Sequence, residues 1–405
     1  MIHVPISQRP RISHRVIRIA ATVAMVGATA SVVSQGAAQA VTSAQGQLSS
    51  LHNAKVASVI APNGDQNPYG IAIVPMSSGN LTKGNILVTD FNNGAGASGA
   101  GTTILQVNPA TGVSSVFYSG VASTGPVGIA INPINDFVWI GDYGTATDGT
   151  SANDLLISPA GSLIANFNNA TTLGDTSFVG VWGQAVSSVN GSVSFYWGNA
   201  GNATTGTGGG SVWRLSPHPT GTPNGQPVHS TYAEIASGQA ATPAGGSVAT
   251  AAGPQGMAFD PATGILYEIN SASNTLYAIP NAATATGPMS SSIVYQGAAL
   301  VSPDNVVINP LNGDLLVVNG GNNDLVEISP TGQVVAKVNL AANQPSGALF
   351  GLAATTDAAG NLVVYFVNDN ENSLHALTCL PRHTLYVAKH GKQKSHRVAP
   401  ACAMH

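Results

Sequence analysis

The sequence predicts an all-β fold: a six-bladed β-propeller of four-stranded antiparallel blades, its ring closed by an N-terminal strand. Three observations carry that prediction. A block built on GxA, followed by Pro or Asp and then by an apolar run ending in Asp or Asn, recurs six times. Its copies open at Pro68, Gly125, Ser177, Gly253, Ser302 and Leu349. The spacing is about fifty residues, the size of one propeller blade. The last copy is one strand short, and an unassigned strand-like run stands at the opposite end of the chain.

Each copy reads as four short strands. In the first, GIAIV is a buried apolar run, Asn85 to Asp90 (NILVTD) alternates, Thr102 to Pro109 (TTILQVNP) leads into a turn, and Val113 to Ser119 (VSSVFYS) alternates again. The same order runs through copies two, four and five, and through copy three once its Gly- and Pro-rich insertions are set aside. Copy six offers FGLAATT, NLVVYFVN and SLHALT, and nothing comparable before Cys379. Asn53 to Ala72 aligns with Gly332 to Ala353, an outer strand plus its crossing to the next blade. Lys55 to Ile60 are therefore expected to complete the sixth blade and remove the exposed edges that would invite aggregation.

The chain divides into 1–40, a signal peptide with a basic start and an Ala38-Gln39-Ala40 cleavage signal; 41–52, a polar leader; 53–379, the propeller; and 380–405, a basic tail expected to lack order. The apolar stretch after Arg18 is too short and too rich in small residues for a membrane anchor, so export to the periplasm or the medium is expected. Between residues 41 and 379 four cations (Lys55, Lys83, Arg214, Lys337) face all 17 acids, a net charge of −13. Such a surface repels phosphate backbones and argues against nucleic acid. The partners expected are a carbohydrate, a cell-envelope component or a protein, with the chain itself a monomer. Only Cys379 and Cys402 could form an intramolecular disulfide.

The ends of the second strands make the most regular polar series: Asp90 and Asn92, Asp142 and Tyr143, Asn199, Asn270, Asn319, then Asn368 and Asp369. In a propeller these ends share a face with the crossings, which add Asn67, Tyr69, Gln255, Asp304 and Asn305. A ring of amide and carboxylate oxygens at the channel mouth could bind sugar hydroxyls or a hard cation, calcium being the ion such a ring would take. Asp90 and Asp142 are the metal candidates, because a turn does not require their charge. The competing account is that Asp and Asn recur here because a tight turn selects them. His52, His218, His229 and His375 are placed for surface or packing roles, and the tryptophans and Tyr196 for packing between blades or stacking on sugar rings. No G-x-S-x-G elbow, H-E-x-x-H pair, P-loop or dinucleotide fingerprint is present.

GIAINP with FVWIGDYG, and GMAFDP with LYEINSASN and LYAIP, resemble the NHL-repeat propeller pattern over residues 53–379. That likeness implies a binding or interaction platform. Propellers similar to gluconolactonase and regucalcin imply a channel metal held by a Glu, Asn and Asp set, but no Glu stands in the first strand here. Virginiamycin B lyase-like propellers imply channel histidines. The reading the residues favour is an exported, non-catalytic binding or interaction platform with its ligand at the channel mouth. The alternatives are a calcium-assisted lactonase, esterase or lyase, and a purely structural or interaction role through blade edges and the long loops of copy three.

Overall fold

In a computed structural model of the chain, six four-stranded antiparallel sheets form and follow one another in sequence. The structure describes residues 47–144, 151–169, 178–201, 209–216, 231–241 and 252–379, together with the backbone of 384–389 and 392–397. The expected signal peptide and the loop histidines His218 and His229 lie outside the described residues.

Strand β1 is His52–Ser58. The first blade contains β2 (Gln66–Ile73), β3 (Ile86–Asn92), β4 (Thr103–Val107) and β5 (Ser114–Ser119). The second contains β6 (Pro126–Ile131), β7 (Val138–Asp142), β8 (Asn153–Ile157) and β9 (Leu163–Asn168), and the third β10 (Val181–Val189), β11 (Ser192–Asn199), β12 (Ser211–Ser216) and β13 (Thr231–Ala236). The fourth blade is β14 (Pro254–Asp260), β15 (Ile265–Asn270), β16 (Thr275–Ile279) and β17 (Ser292–Gln296). The fifth is β18 (Pro303–Ile308), β19 (Leu315–Asn319), β20 (Asp324–Ile328) and β21 (Val334–Asn339). The sixth is β22 (Leu349–Thr356), β23 (Leu362–Asn368) and β24 (Ser373–Thr378), completed by β1.

The expected closure is present. β1 pairs antiparallel with β24, from His52 opposite Thr378 to Ser58 opposite Ser373. His375 seals the joint: its Nδ1 bonds to Asn53 Oδ1 at 3.0 Å, its Nε2 to the Ser373 hydroxyl at 2.9 Å, and its ring stacks on Phe366. It is a satisfied core histidine, as expected. Part of the leader is docked as well, since Leu48, 1% exposed, joins the core between the fifth and sixth blades. The tail, expected to lack order, carries a hairpin of β25 (Thr384–Lys389) and β26 (Lys392–Arg397). The alternation in TLYVAK gives that segment strand propensity. Cys379, at the start of the tail, is disulfide-bonded.

Each seam between neighbouring blades has its own apolar core, six in all. The strand residues alternate toward one seam or the other: Ile86 and Val88 pack against the sixth blade, Leu87 against the second. This is period-2 patterning with both sheet faces buried. The (N/D)P step at the end of the innermost strands is a turn device. Asn132 Oδ1 accepts from the backbone N–H of Ile134, Asp260 Oδ1 from Ala262, and Asn309 Oδ1 from Leu311, all near 3 Å.

The innermost strands β2, β6, β10, β14, β18 and β22 pack side by side around the axis, and β22 returns onto β2. Their spacing explains the repeated glycine. A methyl group on Gly183 would overlap the Gln255 carbonyl, and one on Gly351 would overlap the Tyr69 carbonyl. Only a residue without Cβ lets adjacent innermost strands approach so closely. The fifth blade breaks the rule, with Asn305 where the others have glycine.

Candidate functional site

Every innermost strand carries a register break at the same step: between Pro68 and Ile71, Pro126 and Ile129, Val181 and Gln184, Pro254 and Met257, Pro303 and Asn305, and Leu349 and Leu352. A bulge re-aims the side chain beside it. Here it turns one residue per blade toward the axis, the residue just before the glycine, or before Asn305 in the fifth blade: Tyr69, Val127, Trp182, Gln255, Asp304 and Phe350.

Four of the six form an apolar stopper with Phe91 and Tyr143. Tyr69 is stacked between Trp182, at 5.0 Å, and Phe350, at 4.6 Å, while Tyr143 packs on Trp182 at 4.9 Å. The Tyr69 hydroxyl crosses the axis and donates to Gln255 Oε1 at 3.0 Å. Gln255 in turn donates to the Ser271 hydroxyl at 3.2 Å. Burial, and then the nearby charge of Asp304, raise the Tyr69 pKa, so the phenol stays protonated.

Beneath the stopper lies a cavity of about 270 Å³ lined by all six innermost strands. Its polar wall consists of Gln184, Gln255, Asp304, Asn305 and the Tyr69 and Trp182 rings; Ile71, Ile73, Ile129, Met257, Val307 and Leu352, with two alanines and four glycines, make the rest. Asp304 keeps part of its surface toward the cavity, but the protein around it desolvates the carboxyl. That holds its pKa well above the usual carboxylate range, against the opposing pull of the Gly320 N–H. The Trp182 indole N–H is buried without an acceptor.

None of the nine residues expected at the mouth lines this cavity. Asp90, Asp142, Asn199, Asn270 and Asn319 have no exposed surface, and Asn368 is nearly as buried. Most serve the crossing of their own blade. Asp142 accepts from the Ser123 hydroxyl at 3.1 Å and the Thr124 N–H at 3.3 Å. Asn199 Oδ1 accepts from the Val179 N–H at 3.2 Å, and Asn270 and Asn319 donate to the Ala240 and Ala299 carbonyls. Burial pushes the Asp142 pKa up to about 8, those two bonds opposing it, and burial pushes Asp369 to about 6. Asp90 is raised well above the usual range by burial and then by the Asp65 charge. Tyr143 and Asn92 flank the series, Tyr143 inside the stopper. Asp90 and Asp142 sit in different blades, and among the described residues no group of three His, Cys, Asp or Glu side chains is arranged to hold a metal.

A calcium-type ion in the channel, implied by the gluconolactonase likeness, does not fit these donors. Among the described residues Asp304 is the single carboxylate in the wall. Gln255 Oε1 already accepts from Tyr69 and Asn305 Oδ1 from the Val306 N–H at 2.8 Å, which leaves Gln184 Oε1, buried without a donor, as the one unoccupied amide oxygen beside that carboxylate. Calcium takes about six to eight oxygens. The tryptophans also resolve: Trp139 stacks on Phe195 at 3.7 Å and Trp197 on Phe178 at 4.7 Å, so both pack the seam between the second and third blades, and Trp182 alone reaches the cavity.

The family model for the SMP-30/Gluconolactonase/LRE-like region matches residues 238–358, which run through the fourth and fifth blades into the sixth. The NHL-like expectation thus holds as a six-bladed propeller, while the family that matches is this one. A solved gluconolactonase from Xanthomonas campestris is 13% identical with TM-score 0.52, over 82% of this chain and 90% of that one. A second structure, provisionally named a gluconolactonase, is 12% identical with TM-score 0.52, over 88% and 98%. At these identities the likeness establishes the fold. No curated protein matches the chain. The expectation of a non-catalytic binding platform is corrected by the family match, whose description names a lactonase. Within the polar series that suggested a platform, Asp142, Asn199, Asn270 and Asn319 are tied to their own crossings.

Proposed function

We propose that the protein is a channel enzyme cleaving the ester bond of a small, uncharged substrate, with a lactone as first choice, and that Asp304 is its acid–base group. The observation that carries this reading is the single carboxyl in the cavity wall, its pKa raised by burial, at the one innermost strand that departs from glycine. Perturbed titratable groups in a cavity are candidates for catalysis. The family match supports ester chemistry.

In hydrolysis, water attacks the acyl carbon as the bond to the leaving oxygen breaks. Asp304 gives its proton to that oxygen, and the proton released by the water restores the carboxyl. A positioned group of this kind contributes about 10²–10⁴-fold. The Trp182 N–H is an unpartnered buried donor costing about 1–3 kcal/mol, a cost that a substrate carbonyl reaching it would relieve. The absence of a basic residue from the cavity wall disfavours phosphorylated or carboxylated substrates. A panel of γ- and δ-lactones and aryl esters, assayed with chelator present, tests the reading. Turnover of a neutral lactone that persists in chelator is the expected result, and a panel without any turnover would sink it. Export, expected from residues 1–40, stays part of the proposal.

A further inference from the structure

We propose that a hard divalent cation of the calcium class binds at the seam between the first and sixth blades, held by Asp90, Asp65, Asn67 and Asn92. The site is separate from the cavity and does not depend on the channel chemistry.

Asp90 is the starting point. It has no exposed surface, and neither of its carboxylate oxygens accepts a hydrogen bond. The Oδ1 atoms of Asn67 and Asn92 are likewise buried without a donor. Strand register brings these groups together, with Gln66 opposite Asn92 and Pro68 opposite Asp90. Asn67, between those two partners, is in the left-handed region at φ 64°, and its N–H is tied to Asn372 Oδ1 of the sixth blade at 2.8 Å. Thr103 lies opposite Asp90 on β4, and its hydroxyl donates at 2.8 Å not to Asp90 but to Asp65 Oδ2. Asn63 and Thr102 donate to that same Oδ2, which leaves Asp65 Oδ1 without a donor.

Comparison with the second blade shows what is unusual. There Ser123, two residues before the crossing's Gly125-Pro126 step, satisfies Asp142. In the first blade the matching residue, two before Asn67-Pro68, is Asp65. A hydroxyl donor has been replaced by a second carboxylate facing the first. No protein cation compensates: among the described residues the ion pairs are Lys337 with Asp324 and His375 with Glu371. The result is five acceptor oxygens without a donor, two of them from one carboxylate, in a segment of net charge −13. That is a hard-cation donor set, which waters would complete to the six to eight oxygens calcium takes at about 2.3–2.6 Å.

The test is a calcium titration of the chelator-treated full chain, followed by calorimetry and by the melting temperature. The expected result is one ion per chain and a Tm raised by about 3–5 °C at saturation. Asp90→Asn should abolish both, and Asn92→Ala should weaken affinity at least tenfold. Asp142→Asn and Asp304→Asn should bind as the unmodified chain does. If Asp90→Asn does not fold, Asp65→Asn takes its place. Calcium without effect on the unmodified chain would show that Asp90 is instead a neutral buried acid and overturn the proposal. So would a response that survives these seam substitutions, or one lost in Asp304→Asn.

Discussion

At the scale of single residues, the second position of the P-x-G motif decides what the channel can do. Five blades place Tyr69, Val127, Trp182, Gln255 and Phe350 there, and these stopper the axis or hold the Tyr69 hydroxyl. The fifth places Asp304. Trp182→Phe keeps an aromatic ring in the stopper and removes only the N–H. If that donor binds the reacting carbonyl, kcat/KM should fall about 10²-fold with KM little changed, the size seen when one such donor is lost. Unchanged kinetics would assign Trp182 to packing alone. This position is legible in the sequence as the one that varies most in an otherwise repetitive block, while the Asp/Asn series is the more regular. What hid the answer was the bulge. Strand alternation alone does not say that Asp304 turns to the axis while Asp142 turns back to Ser123 and Thr124.

At the scale of elements, repetition made the blades and the closing strand legible before any coordinates. Apolar runs with period two, (N/D)P turns and one missing strand leave little freedom, and β1 on β24 is the outcome. Less legible was why the glycine recurs, because the reason is a contact between strands about fifty residues apart. Gly183→Ala should therefore destabilise by more than about 3 kcal/mol or prevent folding, since the Gln255 carbonyl has nowhere to move. Gly287→Ala, with open space around its Cβ position, should change stability by less than about 0.5 kcal/mol. Urea unfolding of the two variants makes the comparison. Equal effects would show that the blade spacing does not depend on glycine.

At the scale of the whole molecule, buried acids set the response to pH. Burial pushes Asp142 and Glu268 up to about 8, the Gln239 bond to Glu268 at 2.9 Å opposing it, and it raises Asp154 and Asp304 as well. Their unfolded values lie near 4. Between about pH 4 and 8 the folded chain binds more protons than the unfolded one, so stability is greatest at the acid end and is lost as pH rises toward 8. His375 works the other way. Its pKa is lowered by burial, so its contribution is lost as pH falls below about 6.5. The melting temperature should thus fall between about pH 6.5 and 8 at constant ionic strength, and a flat or rising curve there would contradict the buried-acid account.

If Asp304 runs the channel cavity as a catalytic site, its role shows most directly when Asp304→Asn is compared with the unmodified chain on whichever lactone or ester is turned over. Asp304→Asn should lose kcat/KM by at least about 10²-fold, with a melting temperature equal to or above that of the unmodified chain, because an uncharged amide replaces a carboxyl that burial already disfavours as an anion. Activity retained in a folded Asp304→Asn protein would contradict it.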